Sequence, residues 1–361
     1  MKLLLIEDEA DFIEDLVQLA DGAATVLAPG DVGLLMRELP GEGPAEDQLA
    51  DILGGIIREH QIDLVVLDSD LTHAKGELQA QSGYRAALHQ LGMPVCRYQK
   101  GGSETQFTWW KRLNRAMSEG ADAIWVPRAM VSGDRMDELV PWLQDICTGF
   151  QTLSQRLEAA PQLLQAKSDL GPADVLALLL DKPNAMVDLL GYTSHSLLFF
   201  AAADEPSDVR TPSQRYATRL GYWLYNYVLT FPGPILPAGA AAAFLNLDQD
   251  SFNLEAVQTL VEPARYSGPF GQTERYYWRS DLMQLLEAHG GDLARAPALA
   301  DAALTRLDPD DPGAEVYWCV LSQAPVLASE TAPNPEWIPI GAVQSRVKQS
   351  KLDELGPLLS I

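Results

Sequence analysis

Short apolar runs alternate with longer amphipathic segments over about the first 130 residues of the chain. Strands are predicted at Leu3–Ile6, Ala24–Leu27, Asp63–Leu67, Pro94–Tyr98 and Ala123–Val126. Helices are predicted between them at Asp11–Leu19, Ala45–His60, Tyr84–Leu91 and Thr108–Met117. Nearly continuous apolar runs are typical of strands covered on both faces, and strands that alternate with helices form parallel sheets with right-handed crossovers. The pattern predicts an α/β domain over residues 1–133 with a five-stranded parallel sheet.

The remaining two thirds of the chain change pattern twice. Residues 134–167 are predicted to form a helical connector interrupted by Pro141, and residues 168–312 a mostly helical domain whose first helix starts after Gly171-Pro172. A cluster of turn residues at Asp308–Gly313 then precedes strand-like runs at Val316–Leu321 and Ile338–Val347 and a short helix near Lys351–Leu359. Residues 313–361 are therefore predicted to form a small β-containing C-terminal module.

Charge and composition limit the kinds of partner and the location that can be expected for the protein. The net charge is -24, and residues 1–150 contain 25 acidic and 12 basic side chains, so neither half offers the basic surface that nucleic acid requires. The longest apolar runs are too short to span a bilayer, which predicts a protein without a membrane segment. The three cysteines, Cys96, Cys147 and Cys319, lack paired spacing, and this favours a reducing, cytoplasmic location over a disulfide framework.

Acidic residues follow two of the predicted strands directly. Glu7 and Asp8 come after the first strand, and Asp68 and Asp70 come after Asp63–Leu67. Because open parallel sheets bring the carboxyl ends of neighbouring strands to one edge, these carboxylates are expected to lie together. Clustered carboxylates repel one another unless a cation joins them, and oxygen ligands suit Mg²⁺. We expect a magnesium site of modest affinity formed by Glu7, Asp8, Asp68 and Asp70.

These motifs are similar to those of a known family. Leu4-Leu5-Ile6-Glu7-Asp8-Glu9 resembles the acidic-pair motif of response-regulator receiver domains, and Ile62–Asp68 resembles their phospho-acceptor strand. The resemblance covers about a third of the chain and implies a flavodoxin-like arrangement of the five-stranded parallel sheet. It implies that Asp68 accepts a phosphoryl group from a histidine kinase, that Glu7 and Asp8 hold magnesium, and that the backbone carbonyl of Asp70 completes the protein ligands.

Two positions depart from the family pattern. Receivers carry Ser or Thr after the fourth strand and Lys after the fifth, whereas this chain has Gln99 and Pro127 there. Those groups contact the phosphoryl group and report its arrival, so the standard switch lacks two parts. Lys100 and Arg128 are the candidates to replace the missing cation. A phosphorylation-independent pseudo-receiver and a phospho-accepting receiver both stay open.

Two enzyme families resemble the same residues. Asp68-Ser69-Asp70-Leu71-Thr72 resembles the D-x-D-x-T motif of haloacid dehalogenase-type phosphotransferases, in which Asp68 would be the nucleophile and Asp70 the general acid/base. Glu7 followed by Asp68-Ser69-Asp70 also resembles a Toprim nuclease or topoisomerase site. The acidic composition disfavours a nucleic-acid substrate, and a βαβ unit precedes the D-x-D-x-T motif. The ranking is therefore receiver, then Toprim, then haloacid dehalogenase-type.

The second half contains a candidate effector region. Residues Ala238–Leu247 and Gln249–Leu260 are spaced like a helix-turn-helix, and Tyr266–Phe270 with Tyr276–Arg279 could form a winged-helix hairpin. No Lys or Arg occurs between Leu220 and Ala264, which favours a helical module with an aromatic core over a DNA reader.

Three functional hypotheses follow. The first is an atypical response-regulator-like signalling protein that acts through protein partners, is phosphorylated on Asp68 in one version, and is a regulator rather than a turnover enzyme. The second is a metal-dependent phosphoryl-transfer enzyme or Toprim-like nuclease. The third is a DNA-binding transcriptional regulator.

Overall fold

The computed structural model describes residues 1–34, 44–71, 81–101, 106–132, 135–164, 169–195, 199–200 and 208–356. By contacts between backbone positions the chain divides into two compact units, and each is treated by itself below. The first comprises Met1–Leu170 and Leu197–Trp223, and the second comprises Gly171–Ser196 and Leu224–Ile361. This division differs from the four consecutive segments predicted above, because the predicted connector and part of the predicted helical domain lie in the first unit.

The first unit contains the parallel sheet. Its strands are β1 (Lys2–Ile6), β2 (Thr25–Leu27), β3 (Leu64–Asp68), β4 (Val95–Tyr98) and β5 (Ile124–Trp125). Its helices are α1 (Ala10–Leu19), α2 (Ala45–His60), α3 (Gln81–Leu91), α4 (Gln106–Glu119), α5 (Ala129–Ser132), α6 (Leu139–Ala159) and α9 (Pro212–Trp223). All neighbouring strands are parallel, in the order β2-β1-β3-β4-β5. The predicted α/β class is confirmed, and about 52% of the chain is helical.

The two central strands explain why the sheet forms here. Leu4 and Val65 lie side by side in register, and every residue of β3 is buried. The apolar faces of α2 and α3 cover this surface and continue the same hydrophobic core. Because β1 and β3 are covered on both faces, their sequences are almost wholly apolar and turn acidic only where the strands end.

Helix α6 differs from the helical connector predicted for this part of the chain. It runs without a break from Leu139 to Ala159, so the predicted interruption at Pro141 is wrong. Pro141 lies in the first turn of α6. Backbone N–H groups in the first turn of a helix have no intrahelical hydrogen-bond acceptor, so a proline there removes no hydrogen bond. Helix α9 packs on α6, and the hydroxyl of Tyr222 in α9 accepts a hydrogen bond from Val95 N at 2.8 Å. These contacts make α6 and α9 part of the sheet domain.

The second unit is mostly helical. Its helices are α7 (Pro172–Leu179), α8 (Met186–Leu190), α10 (Ala238–Phe244), α11 (Gln249–Phe252), α12 (Glu255–Val261), α13 (Arg279–Ala288) and α14 (Gln349–Leu355). Its strands are β6 (Ile235–Pro237), β7 (Tyr276–Trp278), β8 (Val316–Cys319), β9 (Ala324–Leu327), β10 (Thr331–Ala332) and β11 (Ser345–Lys348). Helix α7 begins where Gly171-Pro172 predicted, with Gly171 N bonded to Asp174 Oδ2.

The predicted winged-helix hairpin is reduced to an isolated antiparallel bridge between Arg265 and Tyr277. Strand β7 pairs antiparallel with β6, and Tyr266–Phe270 is not a strand. Tyr266 N donates a single hydrogen bond to Tyr276 O. The buried ring of Tyr266 packs edge-on against Trp278, so this segment contributes to the hydrophobic core. The two predicted helices before it are three short helices, α10 to α12.

The C-terminal sheet has the order β10-β11-β8-β9. The second predicted tail strand is much shorter than expected, because β11 starts only at Ser345, after the Pro335–Gly341 segment. Strand β11 is parallel to β8 and antiparallel to β10. The predicted last helix is present as α14, and its expected end at Leu359 lies outside the described residues. No helix in the described ranges is both long and apolar enough to cross a bilayer.

Candidate functional site

The acidic residues predicted to converge do so at the carboxyl edge of the sheet. Ile6 pairs with Leu67 in the β1–β3 register, so Glu7 and Asp68 leave adjacent strands at the same level. Glu7, Asp8 and Asp68 each offer a carboxylate oxygen within 4.8 Å of the others. We refer to these three residues as the acidic site. Glu7 and Asp68 are buried, and Asp8 is half-buried.

Glu7 is fully engaged by protein donors. Its Oε1 accepts hydrogen bonds from the backbone N–H groups of Asp8 and Glu9, both at 2.8 Å. Its Oε2 accepts from the Tyr98 hydroxyl and from Lys100 Nζ, the latter at 2.8 Å. Burial and the neighbouring Glu7 raise the pKa of Tyr98 far above its usual value, so the phenol stays protonated as a donor. The buried charge of Glu7 is therefore matched inside the protein.

Asp68 lies equally deep but has far fewer partners. Its Oδ1 accepts one hydrogen bond, from Asp70 N at 3.1 Å. Its Oδ2 is buried, and no described residue makes a hydrogen bond to it; Lys100 Nζ lies 3.4 Å away, an ion-pair distance without hydrogen-bond geometry. Burial raises the pKa of Asp68 to about 6, with Glu7 adding to the rise and the Asp70 N–H and Lys100 opposing it. Asp68 is thus a buried carboxyl with one oxygen that accepts no hydrogen bond from the described residues.

Lys100 supplies the cation that the clustered carboxylates require. Its Nζ lies 2.8 Å from Glu7 and 2.8 Å from Glu9, in addition to Asp68. The ammonium also lies 5.2 Å from the centroid of the Phe12 ring, which stacks on Tyr98. Burial opposes its charge, but the hydrogen bonds to Glu7 and Glu9 outweigh burial and raise its pKa. Of the two candidate cations, Lys100 and Arg128, Lys100 is the one that contacts the acidic site.

The other candidate, Arg128, lies elsewhere on the edge. Its Nη2 donates to Gln99 Oε1 at 3.2 Å, and Arg115 Nη2 donates to the same oxygen at 2.8 Å. Gln99 therefore contacts the two arginines, whereas the next residue, Lys100, contacts the carboxylates of the acidic site. Pro127 precedes Arg128 and has no charge to offer the acidic site.

Asp70 takes a different position from the other predicted ligands. It is exposed, and its side chain is not part of the group whose oxygens lie within 4.8 Å. Its backbone N–H binds Asp68, which orients the turn after β3. Thr72, the last residue of the motif that resembles haloacid dehalogenases, lies outside the described residues.

Sequence reasoning missed two contributors. Tyr98 was assigned only as a strand residue, although an aromatic hydroxyl at the last position of β4 must reach the same edge as Asp68, its register partner. Ser69 stands in two of the quoted motifs without a role of its own, yet its hydroxyl is buried next to Asp68 without a hydrogen bond to any described residue. Unsatisfied buried hydroxyls are uncommon in proteins.

The oxygen donors of the acidic site fit a hard divalent cation in part. Asp68 Oδ2 is a buried oxygen without a hydrogen bond from the described residues, and Asp8 lies beside it. Glu7 is the poorest of the three ligands because both of its oxygens already accept hydrogen bonds. Metal binding at Glu7 would require Lys100 to withdraw.

No known family model, curated protein or solved structure matches the chain. The receiver, Toprim and haloacid dehalogenase resemblances therefore stay interpretations of short motifs.

Proposed function

We propose that this chain is an atypical receiver-like signalling protein of the cytoplasm, in which Asp68 accepts a phosphoryl group and protein partners read the result. One observation carries the proposal: Asp68 is a buried carboxyl at the end of the central strand whose outer oxygen has no hydrogen bond from the described residues and faces a single ammonium 3.4 Å away. A phosphoryl group on that oxygen would bring new acceptors to Lys100 and to the Ser69 hydroxyl.

The transfer itself is a displacement at phosphorus. Asp68 Oδ2 attacks the phosphorus of a phosphohistidine or a small acyl phosphate, an O–P bond forms, and the bond from phosphorus to the donor breaks with its electron pair on the donor. Asp68 must be ionised to attack, and its raised pKa of about 6 leaves the ionised form dominant at neutral pH. Lys100 Nζ, 3.4 Å from Asp68 Oδ2, would neutralise the charge that develops on the phosphoryl oxygens.

Asp68 and Asp8 would hold a divalent cation for this chemistry, together with the backbone carbonyl of Asp70 that the receiver resemblance implies. When bound, it supplies the charge neutralisation that phosphoryl transfer between anions requires. The exposed position of Asp70 is less suited to the general acid/base role of the phosphotransferase alternative, because its carboxylate is not grouped with Asp68.

The test is labelling of the full chain by acetyl phosphate with and without Mg²⁺, read by intact mass and peptide mapping. We expect one phosphoryl group on Asp68, dependent on Mg²⁺ and absent from Asp68→Asn, with Asp70→Asn still labelled. Labelling at another residue, or steady phosphoester turnover that Asp70→Asn abolishes, would favour the enzyme hypothesis instead.

A further inference from the structure

Arginines gather at the same carboxyl edge of the sheet, beyond β4 and β5. Gln99 follows β4, Arg128 follows β5, and Arg115 reaches the edge from α4. One neutral oxygen, Gln99 Oε1, accepts hydrogen bonds from both guanidinium groups, at 2.8 Å from Arg115 and 3.2 Å from Arg128. We call Gln99, Arg115 and Arg128 the arginine pair site.

The pair is held in place by an aromatic platform. The guanidinium carbon of Arg115 lies 4.1 Å from the centroid of the buried Trp125 ring, and that of Arg97 lies 4.5 Å from it. Arg97 is buried and forms an ion pair with Glu119 at 2.6 Å. Stacked guanidinium groups lose little conformational freedom when they bind a ligand, so the platform prearranges Arg115.

The pair has an excess of positive charge that its surroundings leave unbalanced. Among the described residues, neither Arg115 nor Arg128 has a carboxylate within 4 Å, whereas Glu119 pairs with Arg97. Burial lowers the pKa of Arg115, and the nearby Arg128 adds to that effect while Glu119 opposes it. Two like charges on one amide oxygen are unfavourable, and an anion between them would relieve the repulsion. This occurs in a chain whose net charge is -24.

We propose that the arginine pair site binds a compact oxyanion, a phosphate or carboxylate group, whose oxygens replace Gln99 Oε1 between Arg115 and Arg128. Forked guanidinium groups bind such planar or tetrahedral anions through paired, charge-assisted hydrogen bonds, which are stronger than bonds to a neutral amide. All three residues are partly exposed, so an anion from solvent can reach them. The site is distinct from Asp68 and does not depend on its phosphorylation.

The first experiment measures binding of inorganic phosphate and of acetate to the full chain by NMR, following the indole N–H of Trp125 assigned with Trp125→Phe. Arg128→Gln should weaken phosphate binding at least tenfold, and Arg128→Lys should recover only part of it because Lys lacks the fork. Arg265→Gln, which removes an exposed charge in the second unit, should bind as the unchanged protein does. Preference for phosphate indicates a phosphate monoester as the ligand, and preference for acetate indicates a carboxylate.

The second experiment introduces the anion as a side chain of the protein itself. Gln99→Glu places a carboxylate between the two arginines without changing the size of the side chain, and it should raise the Tm by about 2–4 °C while abolishing the phosphate response. Gln155→Glu, at an exposed position of α6, makes the same charge change without an arginine pair. The proposal is overturned if Gln99→Glu is no more stable than Gln155→Glu, or if Arg128→Gln binds phosphate as the unchanged protein does.

Discussion

The carboxylates at the ends of β1 and β3 are both buried, but the protein gives them very different numbers of hydrogen bonds. Each strand delivers a carboxylate to the interior, and Glu7 and Asp68 are 1% and 0% exposed. Glu7 accepts four hydrogen bonds, from two backbone N–H groups, a phenol and an ammonium. Asp68 accepts one, and its second oxygen has only an ion-pair contact among the described residues.

The two buried carboxylates therefore differ in how completely the protein satisfies them with hydrogen bonds. A buried charge whose hydrogen bonds are complete helps to hold its surroundings together, whereas a buried charge with few donors costs stability until something binds it. Glu7 fixes the turn after β1 and anchors Tyr98 and Lys100. Asp68 keeps an oxygen available at the expense of stability, which is common at functional sites.

The largest effect should follow removal of the satisfied carboxylate. Glu7→Ala leaves the Tyr98 hydroxyl, Lys100 and two backbone N–H groups without their acceptor, and should lower the free energy of unfolding by about 3–5 kcal/mol. Urea denaturation measures this, with Glu14→Ala on the exposed face of α1 as the control. A loss below about 1 kcal/mol would remove the distinction between the two carboxylates.

Asp68→Asn should act in the opposite direction. The folded pKa of about 6 lies above the reference value of 3.8, so the folded state holds its proton more tightly and this group costs stability as pH rises from about 4 through about 6. Asn cannot ionise, so the variant should be more stable by up to about 3 kcal/mol at pH 7.5. The gain should be about 1.4 kcal/mol smaller at pH 5. Denaturation at both pH values measures it, and a destabilised variant would contradict the account.

Lys100→Met should cost about 1–2 kcal/mol, because Glu7 and Asp68 lose their shared cation. A divalent ion can then occupy the vacated position, so Mg²⁺ should stabilise this variant at concentrations at least tenfold lower than it stabilises the unchanged protein. Thermal unfolding across a Mg²⁺ titration measures both effects. Lys348→Met, which breaks an exposed ion pair with Glu330 at 2.9 Å, is the control and should show no such gain.

The smallest effect is expected at Asp70. Its side chain is exposed and only its backbone N–H supports Asp68, so Asp70→Asn should change stability by less than about 0.5 kcal/mol. The same denaturation assay measures this. A large loss of stability in Asp70→Asn would indicate that the Asp70 carboxylate belongs to the acidic site, and it would favour the phosphotransferase hypothesis.

The strands and the acidic edge could be read from the sequence because their signals are local. Apolar runs that end in Glu7 and Asp68 identify both strands, and parallel topology then brings their ends together. Helix α6 was misread at Pro141 because the sequence does not reveal where a helix begins, and a proline is harmless in a first turn. The hairpin that starts at Tyr266 is reduced to one bridge because Tyr276–Trp278 pairs with the distant strand β6, and propensity does not report such distant partners. The same holds for the shortened β11.

The side-chain pairing within the site was only partly predictable. Lys100 and Arg128 were equivalent candidates by sequence, because both follow strand ends. Which of them reaches the carboxylates depends on the directions of the side chains beyond β4 and β5, and Gln99 directs Arg128 toward Arg115 instead. Tyr98 as a donor to Glu7 required the three-dimensional register.

The most direct test of the claim that Asp68 is the open carboxyl is ¹⁹F NMR of the chain with beryllium fluoride, which forms an adduct with a reactive aspartate that imitates a phosphoryl group. The account predicts a bound fluoride signal that requires Mg²⁺, persists in Asp70→Asn and disappears in Asp68→Asn. The absence of a signal from the folded protein, or a signal that survives in Asp68→Asn, would contradict it.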